Sequence, residues 1–273
     1  KKIIAIDAMD GDKAPKSVIA GLAISAIRNP NFKYLIFGDK TKIAPLIKRR
    51  TNLIAASEII HTEDWVRNDE KASIALRRSK DTSMGQAINS VSEGNSDAIV
   101  SGGNSGALMA MSIFGLKRIT GISRPALAAI MPTINGELLA LDLGANIECS
   151  SKNLSDFSSM GAALYNSLYP DEIANVALLN IGSEELKGNE VIKETYQILN
   201  DKKSENFNFS GYIEGNHIMD GEVDVIVSDG FTGNVALKTA EGTANFITSE
   251  LKKAMTGNWI GKFSSLLNIS NLK

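Results

Sequence analysis

The chain has 273 residues, of which 43% are hydrophobic and 22% are charged, a composition typical of a folded globular protein. Its net charge of −2 argues against nucleic acid as the main partner, because binding to a phosphate backbone needs a basic excess. The single cysteine, Cys149, excludes an internal disulfide, and no run approaches the ~18 consecutive apolar residues of a membrane-spanning helix.

Short apolar runs alternate with longer helical patterns along the chain. The apolar runs predict buried strands at 3–6, 34–37, 53–60, 98–100, 127–130, 138–143, 176–181 and 223–227. Helices are predicted at 15–28, 40–49, 82–93, 105–117, 153–167, 184–200 and 232–255. This alternation predicts a three-layer α/β fold in which a mostly parallel sheet has helices on both faces. No linker rich in Pro, Gly or Ser divides the chain, so we expect one α/β domain over residues 1–273.

In open α/β sheets, ligands bind beyond the carboxyl ends of the strands, where strand leads into helix. Two such junctions, at 7–15 and 101–109, are rich in Gly, Asn and Asp. Backbone N–H groups at a helix start can surround an anion, and the helix dipole favours its negative charge. The segment 101–109 therefore predicts a phosphate or carboxylate site, with tight packing of helix on sheet as the open alternative. For 7–15 the alternative is a strand–helix turn with capping carboxylates.

A third junction, at 227–235, has the same general form as 101–109. Asp229 can cap the following helix, and Gly230 and Gly233 allow the backbone to approach a ligand. Asn234 offers both a hydrogen-bond donor and an acceptor. If two such junctions face each other, they form a polar cleft lined by amides, hydroxyls and backbone N–H groups.

Two more strand ends, at 141–146 and 179–190, carry polar side chains, and the second contains Lys187. An isolated lysine is usually a solvated residue on a helix face. Close to an anion site, the same ammonium group stabilises charge. Both interpretations of Lys187 stay open at this stage.

Several kinds of chemistry are disfavoured by the residues that the chain has. The two histidines, His61 and His217, do not lie in a nucleophile-elbow motif, which disfavours a Ser–His–Asp hydrolase. Cys149 follows the acidic Glu148, and an acidic neighbour raises a thiol pKa rather than activating the thiol. The sequence indicates neither a metal site nor a cofactor.

The motifs named above, together with several others, occur in an order that resembles a known family. They resemble the bacterial phosphate acyltransferases of phospholipid synthesis, the acyl-acyl-carrier-protein:phosphate acyltransferases. The resemblance covers essentially the whole chain. It is carried by Ile6–Pro15, Leu76–Met84, Ser101–Met109, Arg124–Leu127, Leu141–Asn146, Leu179–Glu190, Ile213–Gly215 and Ser228–Val235.

The resemblance implies a fold akin to phosphotransacetylases and isocitrate-dehydrogenase-like enzymes. It implies transfer of a long-chain acyl group from acyl carrier protein to inorganic phosphate, which gives acyl phosphate. That product then feeds the glycerol-3-phosphate acyltransferase system. A homodimer is implied as well, cytoplasmic and peripherally attached to the membrane surface.

The same resemblance suggests roles for individual residues. Lys187 and Asn234 match the positions thought to be catalytic. Phosphate and the acyl thioester would be bound by Asp7, Gly11, Asp12, Gly103, Asn104, Ser105, Gly106, Asn146, Asn189, Asp229, Gly230, Thr232 and Gly233. A basic patch of Arg77, Arg78 and Lys80 could meet the acidic carrier protein, with a solvated helix entry as the alternative.

The C-terminal stretch 245–268 carries a separate signal. Its apolar residues Phe246, Ile247, Leu251, Ala254 and Met255 follow helical spacing, which favours core packing by default. The alternative is a membrane-facing helical tip, because aromatic and apolar residues beside lysine suit a bilayer surface. The tip would place four side chains at the membrane: Trp259, Ile260, Phe263 and Leu266.

Two departures from the family pattern leave other functions open. Asp10 stands where the family usually has glycine, and we expect its side chain to point away from the phosphate site. Family members also usually continue well past Lys273. The alternatives are a short-chain phosphotransacetylase that uses acyl-coenzyme A and a non-catalytic dimeric membrane scaffold for lipid enzymes. A dinucleotide-dependent dehydrogenase ranks lower, because the nucleotide fingerprint is missing.

Overall fold

The computed structural model describes residues 1–201 and 204–257. The chain forms two compact units, Lys1–Gly121 and Ile122–Lys273. Each unit has its own sheet, so the strands predicted for one sheet are shared between two. Both sheets are wholly or mostly parallel, which confirms the predicted fold class. The prediction of a single catalytic domain over residues 1–273 stays a prediction.

The first unit is built on a parallel sheet with the strand order β3-β2-β1-β4. Its strands are β1 (Lys2–Asp7), β2 (Phe32–Gly38), β3 (Ser57–His61) and β4 (Ala98–Val100). Its helices are α1 (Lys16–Arg28), α2 (Lys40–Ile47), α3 (Thr51–Ala56), α4 (Ala72–Arg77), α5 (Ser83–Ser92) and α6 (Ser105–Leu116), with a 3-10 turn at Ser79–Asp81.

Helices cover both faces of this first sheet, because successive side chains of a strand point to opposite faces. Ile6 and Ile36 face a core formed with Ile19 of α1 and with residues of α2 and α3. Ala5 and Phe37, their neighbours along the strands, face α5 on the other side. The near-continuous apolar character of these strands therefore follows from burial on both faces.

The second unit contains the strand order β5-β6-β9-β7-β8, in which only the pair β5 and β6 is antiparallel. The strands are β5 (Ala128–Thr133), β6 (Gly136–Leu141), β7 (Ala174–Asn180), β8 (Phe207–Glu214) and β9 (Val225–Val227). The helices are α7 (Ser151–Leu168), α8 (Glu190–Asp201) and α9 (Gly230–Thr256), with a 3-10 turn at Gly215–His217.

The two faces of the second sheet are covered differently. Phe157 of α7 and residues of α8 pack with Leu178 and Val225 into a large core. On the opposite face, among the described residues, α9 packs through Ala236 and Leu237 of its first turns. Beyond those turns α9 is exposed along most of its length. No helix among the described residues is both long and apolar enough to cross a bilayer.

Several elements differ from the prediction, among them the short helix α4, which the sequence pattern did not indicate. The run predicted as a strand at 53–60 is helical up to Ala56, because Leu53 is buried in the core formed by α1 and α2. Strand β8 was not predicted, since Phe207–Glu214 mixes polar with apolar residues. Helix α8 begins at Glu190 rather than at 184, because Gly188 has a φ of +91° and Asn189 accepts a hydrogen bond from the Ile192 N–H.

A substitution at Gly85 would test how closely α5 packs on the preceding 3-10 turn. A Cβ at this position would overlap the backbone carbonyl of Ser79, whereas a Cβ on Gly21 of α1 would meet nothing within 4 Å. We expect Gly85→Ala to lower the free energy of unfolding by about 1–3 kcal/mol. The matched variant Gly21→Ala should raise it by about 0.5–1 kcal/mol. Urea unfolding of both variants measures this, and equal effects would contradict the packing.

Candidate active site

In the first unit, the carboxyl group of Asp7 joins three segments at the end of β1. It is 1% exposed, and its two oxygens accept hydrogen bonds from the Ser83 and Ser101 hydroxyls, each at 2.7 Å. Ser83 begins α5 and Ser101 follows β4. Asp7 is therefore committed to holding this strand edge together, and its predicted contact with substrate stays a prediction.

The glycines at this edge let two turns approach each other. Gly11 has a φ of +108°, and a Cβ there would lie 2.9 Å from the carbonyl oxygen of Gly102. A Cβ on Gly103 would overlap the side chain of Asp10. The glycines thus have a packing role, which is the alternative that the sequence left open. Asp12 is paired too, since its carboxylate accepts from Asn68 Nδ2 at 2.7 Å.

Asn104 caps α6 and ties it to a neighbouring loop. Its Oδ1 accepts from the Ala107 N–H at 3.0 Å, and its Nδ2 donates to the Glu70 carbonyl at 2.8 Å. Among residues 1–201 and 204–257, no acceptor approaches the N–H groups of Ser105 and Gly106. These two donors at the start of α6 are open to an anion, and the binding of phosphate there stays a prediction.

Asp10 is the unusual group of the first unit. It is 1% exposed, and neither carboxyl oxygen has a hydrogen-bond partner among the described residues. Burial first, and then the charge of Asp7, raise the pKa of Asp10 to about 8. The side chain is turned inward beneath Gly103 rather than towards solvent.

In the second unit, the turn after β6 is organised by the carboxylate of Asp142, which is fully buried. Its Oδ1 accepts from the N–H groups of Leu127 at 2.9 Å, Gly144 at 3.3 Å and Ala145 at 3.0 Å. Its Oδ2 accepts from the N–H and the Nδ2 of Asn146, at 2.7 and 2.8 Å. Sequence reasoning missed this residue, although the buried position of an Asp at a strand end is a signal for such a role.

These bonds leave the turn few free donors. Asn146 Nδ2 also donates to the Pro125 carbonyl at 2.7 Å, so both of its amide hydrogens are engaged inside the unit. The backbone N–H groups of residues 144–146 are engaged likewise. The turn at 141–146 therefore binds its own carboxylate, and Asn146 has only its side-chain oxygen to offer to a substrate.

Helix α9 starts directly against this turn. A Cβ on Gly233 would overlap the Asp142 carbonyl, and a Cβ on Gly230 would lie 2.7 Å from the Asn146 carbonyl oxygen. Asp229 caps the helix by accepting from the N–H and the hydroxyl of Thr232, each at 2.8 Å. Both glycines therefore pack closely against the chain's own backbone, and their predicted contact with a ligand stays a prediction.

Asn234 projects from the first turns of α9 next to Gly144, whose φ is +135°. It is exposed, and its amide forms no hydrogen bond with a described residue. An exposed amide with both donor and acceptor unpaired is suited to bind a ligand.

The loop that carries Lys187 is folded by a buried amide. Asn180 Nδ2 donates to the carbonyls of Gly182 at 3.1 Å and Lys187 at 3.2 Å. Lys187 itself is exposed, and its ammonium group forms no ion pair with a carboxylate of the described residues. Asn189, predicted to bind substrate, accepts from the Ile192 N–H at 2.9 Å and so caps α8.

The sheet brings Lys187 and Asn234 to the same edge. Strands β6, β9 and β7 are parallel neighbours in that order, with Leu141, Val227 and Leu178 in register. The segments that follow them carry Asp142, Asn234 and Lys187 respectively. This is the carboxyl edge, where α/β sheets bind ligands.

Cys149 and a small polar cluster complete the titratable groups of interest. The predicted rise in the Cys149 pKa is confirmed; burial is its main cause, and the charges of Asp142 and Asp229 add to it. His217, Asp220 and Glu222 have ligand atoms within 4.8 Å of one another and could hold a cation. They are partly or fully exposed, and the His217 ring already pairs with Asp220 at 2.8 Å.

In the predicted basic patch, the Arg78 side chain already pairs with groups of the first unit. Its guanidinium binds both oxygens of Glu70, at 2.9 and 2.8 Å, and also pairs with Asp64 and the Trp65 carbonyl. The hydrogen bond from Arg78 holds the Glu70 pKa below its ordinary value. Arg77 and Lys80 are exposed, and their contact with a carrier protein stays a prediction.

At the C-terminus, Phe246 is 66% and Leu251 is 51% exposed, so the core-packing alternative is wrong for these two residues. Within 245–268, the structure describes only residues 245–257. The four predicted membrane contacts lie outside the described residues: Trp259, Ile260, Phe263 and Leu266.

The chain has the fold of solved phosphotransacetylase structures. The chain superposes on the EutD phosphotransacetylase from Staphylococcus aureus with a TM-score of 0.62 at 17% identity, covering 89% of this chain and 82% of that one. A phosphotransacetylase from Streptococcus pyogenes gives a TM-score of 0.63 at 15% identity, with the same coverage.

Sequence comparison shows the family. A family profile described as "Fatty acid synthesis protein" matches residues 3–273. The phosphate acyltransferase of Pelagibacter ubique is 59% identical over 270 residues, which are 99% of this chain and 80% of that protein. That of Azorhizobium caulinodans is 46% identical over 265 residues, 97% of this chain and 75% of that protein. The chain belongs to the phosphate acyltransferase family and is an acyltransferase.

Asp10 makes stability depend on pH. Because its pKa is raised in the folded state, the folded chain keeps a proton that the unfolded chain releases between about pH 4 and pH 8. Folding therefore loses stability as pH rises through this window. We expect Asp10→Asn to become progressively more stabilising over it, in urea unfolding at pH 5, 6, 7 and 8. Asp10→Gly should show the same trend with a constant offset, and a gain that does not vary with pH would contradict the burial.

Asn180 is expected to position the Lys187 loop. Without its two hydrogen bonds the loop opens more readily, and trypsin should cut after Lys187 about tenfold faster in Asn180→Ala. Mass spectrometry of the early fragments measures the cut. Asn208→Ala, an exposed amide on β8, is the matched control and should leave the rate unchanged. Equal cleavage of the two variants would show that the loop does not depend on Asn180.

Proposed function

We propose that the chain transfers a long-chain acyl group from acyl carrier protein to inorganic phosphate. The products are acyl phosphate and free carrier protein, and the acyl phosphate supplies glycerol-3-phosphate acylation in phospholipid synthesis. Close relatives are named phosphate acyltransferases, which supports phosphate as the acceptor. The long-chain donor and the carrier protein rest on the sequence resemblance.

One observation carries the proposal. Most polar side chains predicted to bind substrate have partners inside their own unit, as Asn104, Asn146 and Asp229 do. Lys187 and Asn234 are exposed and unpaired among the described residues, on one sheet edge. An unpaired ammonium and an unpaired amide are what a reaction with developing negative charge requires.

The chemistry asks little of the protein beyond positioning and charge stabilisation. An oxygen of hydrogen phosphate attacks the thioester carbonyl carbon, and a C–O bond forms as the carbonyl becomes an oxyanion. The Lys187 ammonium stabilises this negative charge, and the Asn234 amide orients the carbonyl or the phosphate. The oxyanion collapses, the C–S bond breaks, and the phosphate proton passes to the leaving thiolate. No acyl-enzyme forms, so no activated cysteine or histidine is needed.

The surroundings of the reaction are also part of the proposal. Arg77 and Lys80 are exposed cations that suit an acidic carrier protein. The exposed apolar residues Phe246 and Leu251 on α9 suit a second copy of the chain or a membrane surface. We infer a homodimer in the cytoplasm that attaches peripherally to the membrane, where its product is used.

The test is phosphate-dependent thiol release from palmitoyl-acyl carrier protein, with hydroxylamine to trap acyl phosphate. Lys187→Ala should lower the rate by about 10²–10³-fold, because an electrostatic stabiliser of the oxyanion is lost. Lys193→Ala is the matched control, since this α8 lysine pairs with Glu190 on the helix surface. It should leave the rate unchanged.

Other results would point to other functions. Faster transfer from acyl-coenzyme A than from acyl carrier protein would favour a short-chain phosphotransacetylase. Thiol release that does not require phosphate would identify a thioesterase. Binding of the carrier protein without turnover, by a folded chain, would favour the scaffold.

A further inference from the structure

The second unit contains an apolar cavity of about 550 Å³ between its sheet and α9. This size is in the range of pockets that hold small ligands. Its lining, within the part of the chain that the structure describes, contains no charged side chain. The sheet contributes Met131, Ala140, Leu179 and Ile226, and α9 contributes residues that include Ala240 and Ile247.

One end of the cavity lies at the candidate active site. Leu143, Ser228 and Gly233 line that end, and Gly233 directly precedes Asn234. Leu143 precedes Gly144, the glycine against which the Asn234 side chain packs. A molecule with a polar group at Asn234 can therefore extend an apolar chain into the cavity past Leu143 and Gly233.

The cavity follows α9 away from that end. Its lining on the helix runs from Gly233 through Ala236, Ala240 and Ala244 to Ile247. At 1.5 Å per residue this path is about 21 Å long. One bilayer leaflet, which an acyl chain spans, is about 15 Å thick. The small side chains keep the path open, and Ile247, which is 58% exposed, marks its far end at the protein surface.

We propose that this cavity binds the hydrocarbon chain of the acyl donor. The thioester lies at Asn234, the methylenes run along α9, and the methyl end points towards Ile247. This inference rests on the proposed function, which requires a long acyl chain to be held beside the reacting carbonyl. Each buried methylene would raise the affinity about fourfold, so the cavity selects long chains over short ones.

Leucine substitutions along α9 should shorten the cavity, so that their effect depends on the length of the acyl chain. Ala240→Leu fills its middle and should lower kcat/KM for a sixteen-carbon acyl carrier protein by about tenfold or more. The rate with a four-carbon donor should stay within about twofold. Ala244→Leu lies farther along and should leave an eight-carbon donor unaffected while hindering the sixteen-carbon one. Ala254→Leu, on the exposed part of α9 outside the cavity, is the matched control and should change neither rate.

A binding measurement separates this inference from the proposed function. The fluorescence of cis-parinaric acid should rise when it binds to the wild-type chain and to Ala254→Leu. Its affinity for Ala240→Leu should be about tenfold lower. That result with an enzyme inactive towards every donor would retain the cavity and reject the acyltransferase. Activity without probe binding, or equal losses for short and long donors, would overturn the cavity proposal. Thermal melting identifies variants that fail to fold, and Ala244→Leu then provides the second reading.

Discussion

The Asp142 carboxylate is the interaction on which the candidate site of the second unit depends. It draws five N–H donors from Leu127, Gly144, Ala145 and Asn146 around one buried charge. A buried carboxylate is tolerated only when such bonds replace its hydration. The resulting turn is the surface on which Gly230 and Gly233 rest. The start of α9, and with it the position of Asn234, therefore follows from this one buried charge.

The elements and the edge of the sheet that carries the site could be predicted from the sequence. Alternating apolar runs and helical patterns identified most strands and helices, because burial on both faces leaves a continuous apolar signal, as in β7. Lys187 and Asn234 were placed at strand ends from their neighbours alone. Strand β8 was not predicted, because it lies at the edge of the sheet and polar residues interrupt its apolar pattern.

Which polar side chains form hydrogen bonds within the chain, and which remain unpaired, could not be predicted from the sequence. Sequence shows that Asn104, Asn146 and Lys187 follow strands, but whether a polar group is paired depends on backbone atoms that arrive from distant segments. The carbonyls that accept hydrogen bonds from Asn104 belong to residues 67–70. One of the N–H groups around Asp142 belongs to Leu127, which directly precedes β5. For the same reason the sequence does not show that Gly11, Gly230 and Gly233 also let neighbouring turns approach each other.

The occupied turn at 142–146 also bears on where phosphate can bind. Its backbone N–H groups surround an anion, but that anion is the carboxylate of Asp142, which is part of the same turn. A tethered group acts at an effective concentration on the order of millimolar or more, and Asp142 is held by a much shorter tether than any linker. Free phosphate that entered this turn would have to displace a competitor that never diffuses away. Under the proposed function, phosphate is therefore expected at donors outside this turn, because the Asp142 carboxylate already occupies the N–H groups of residues 144–146.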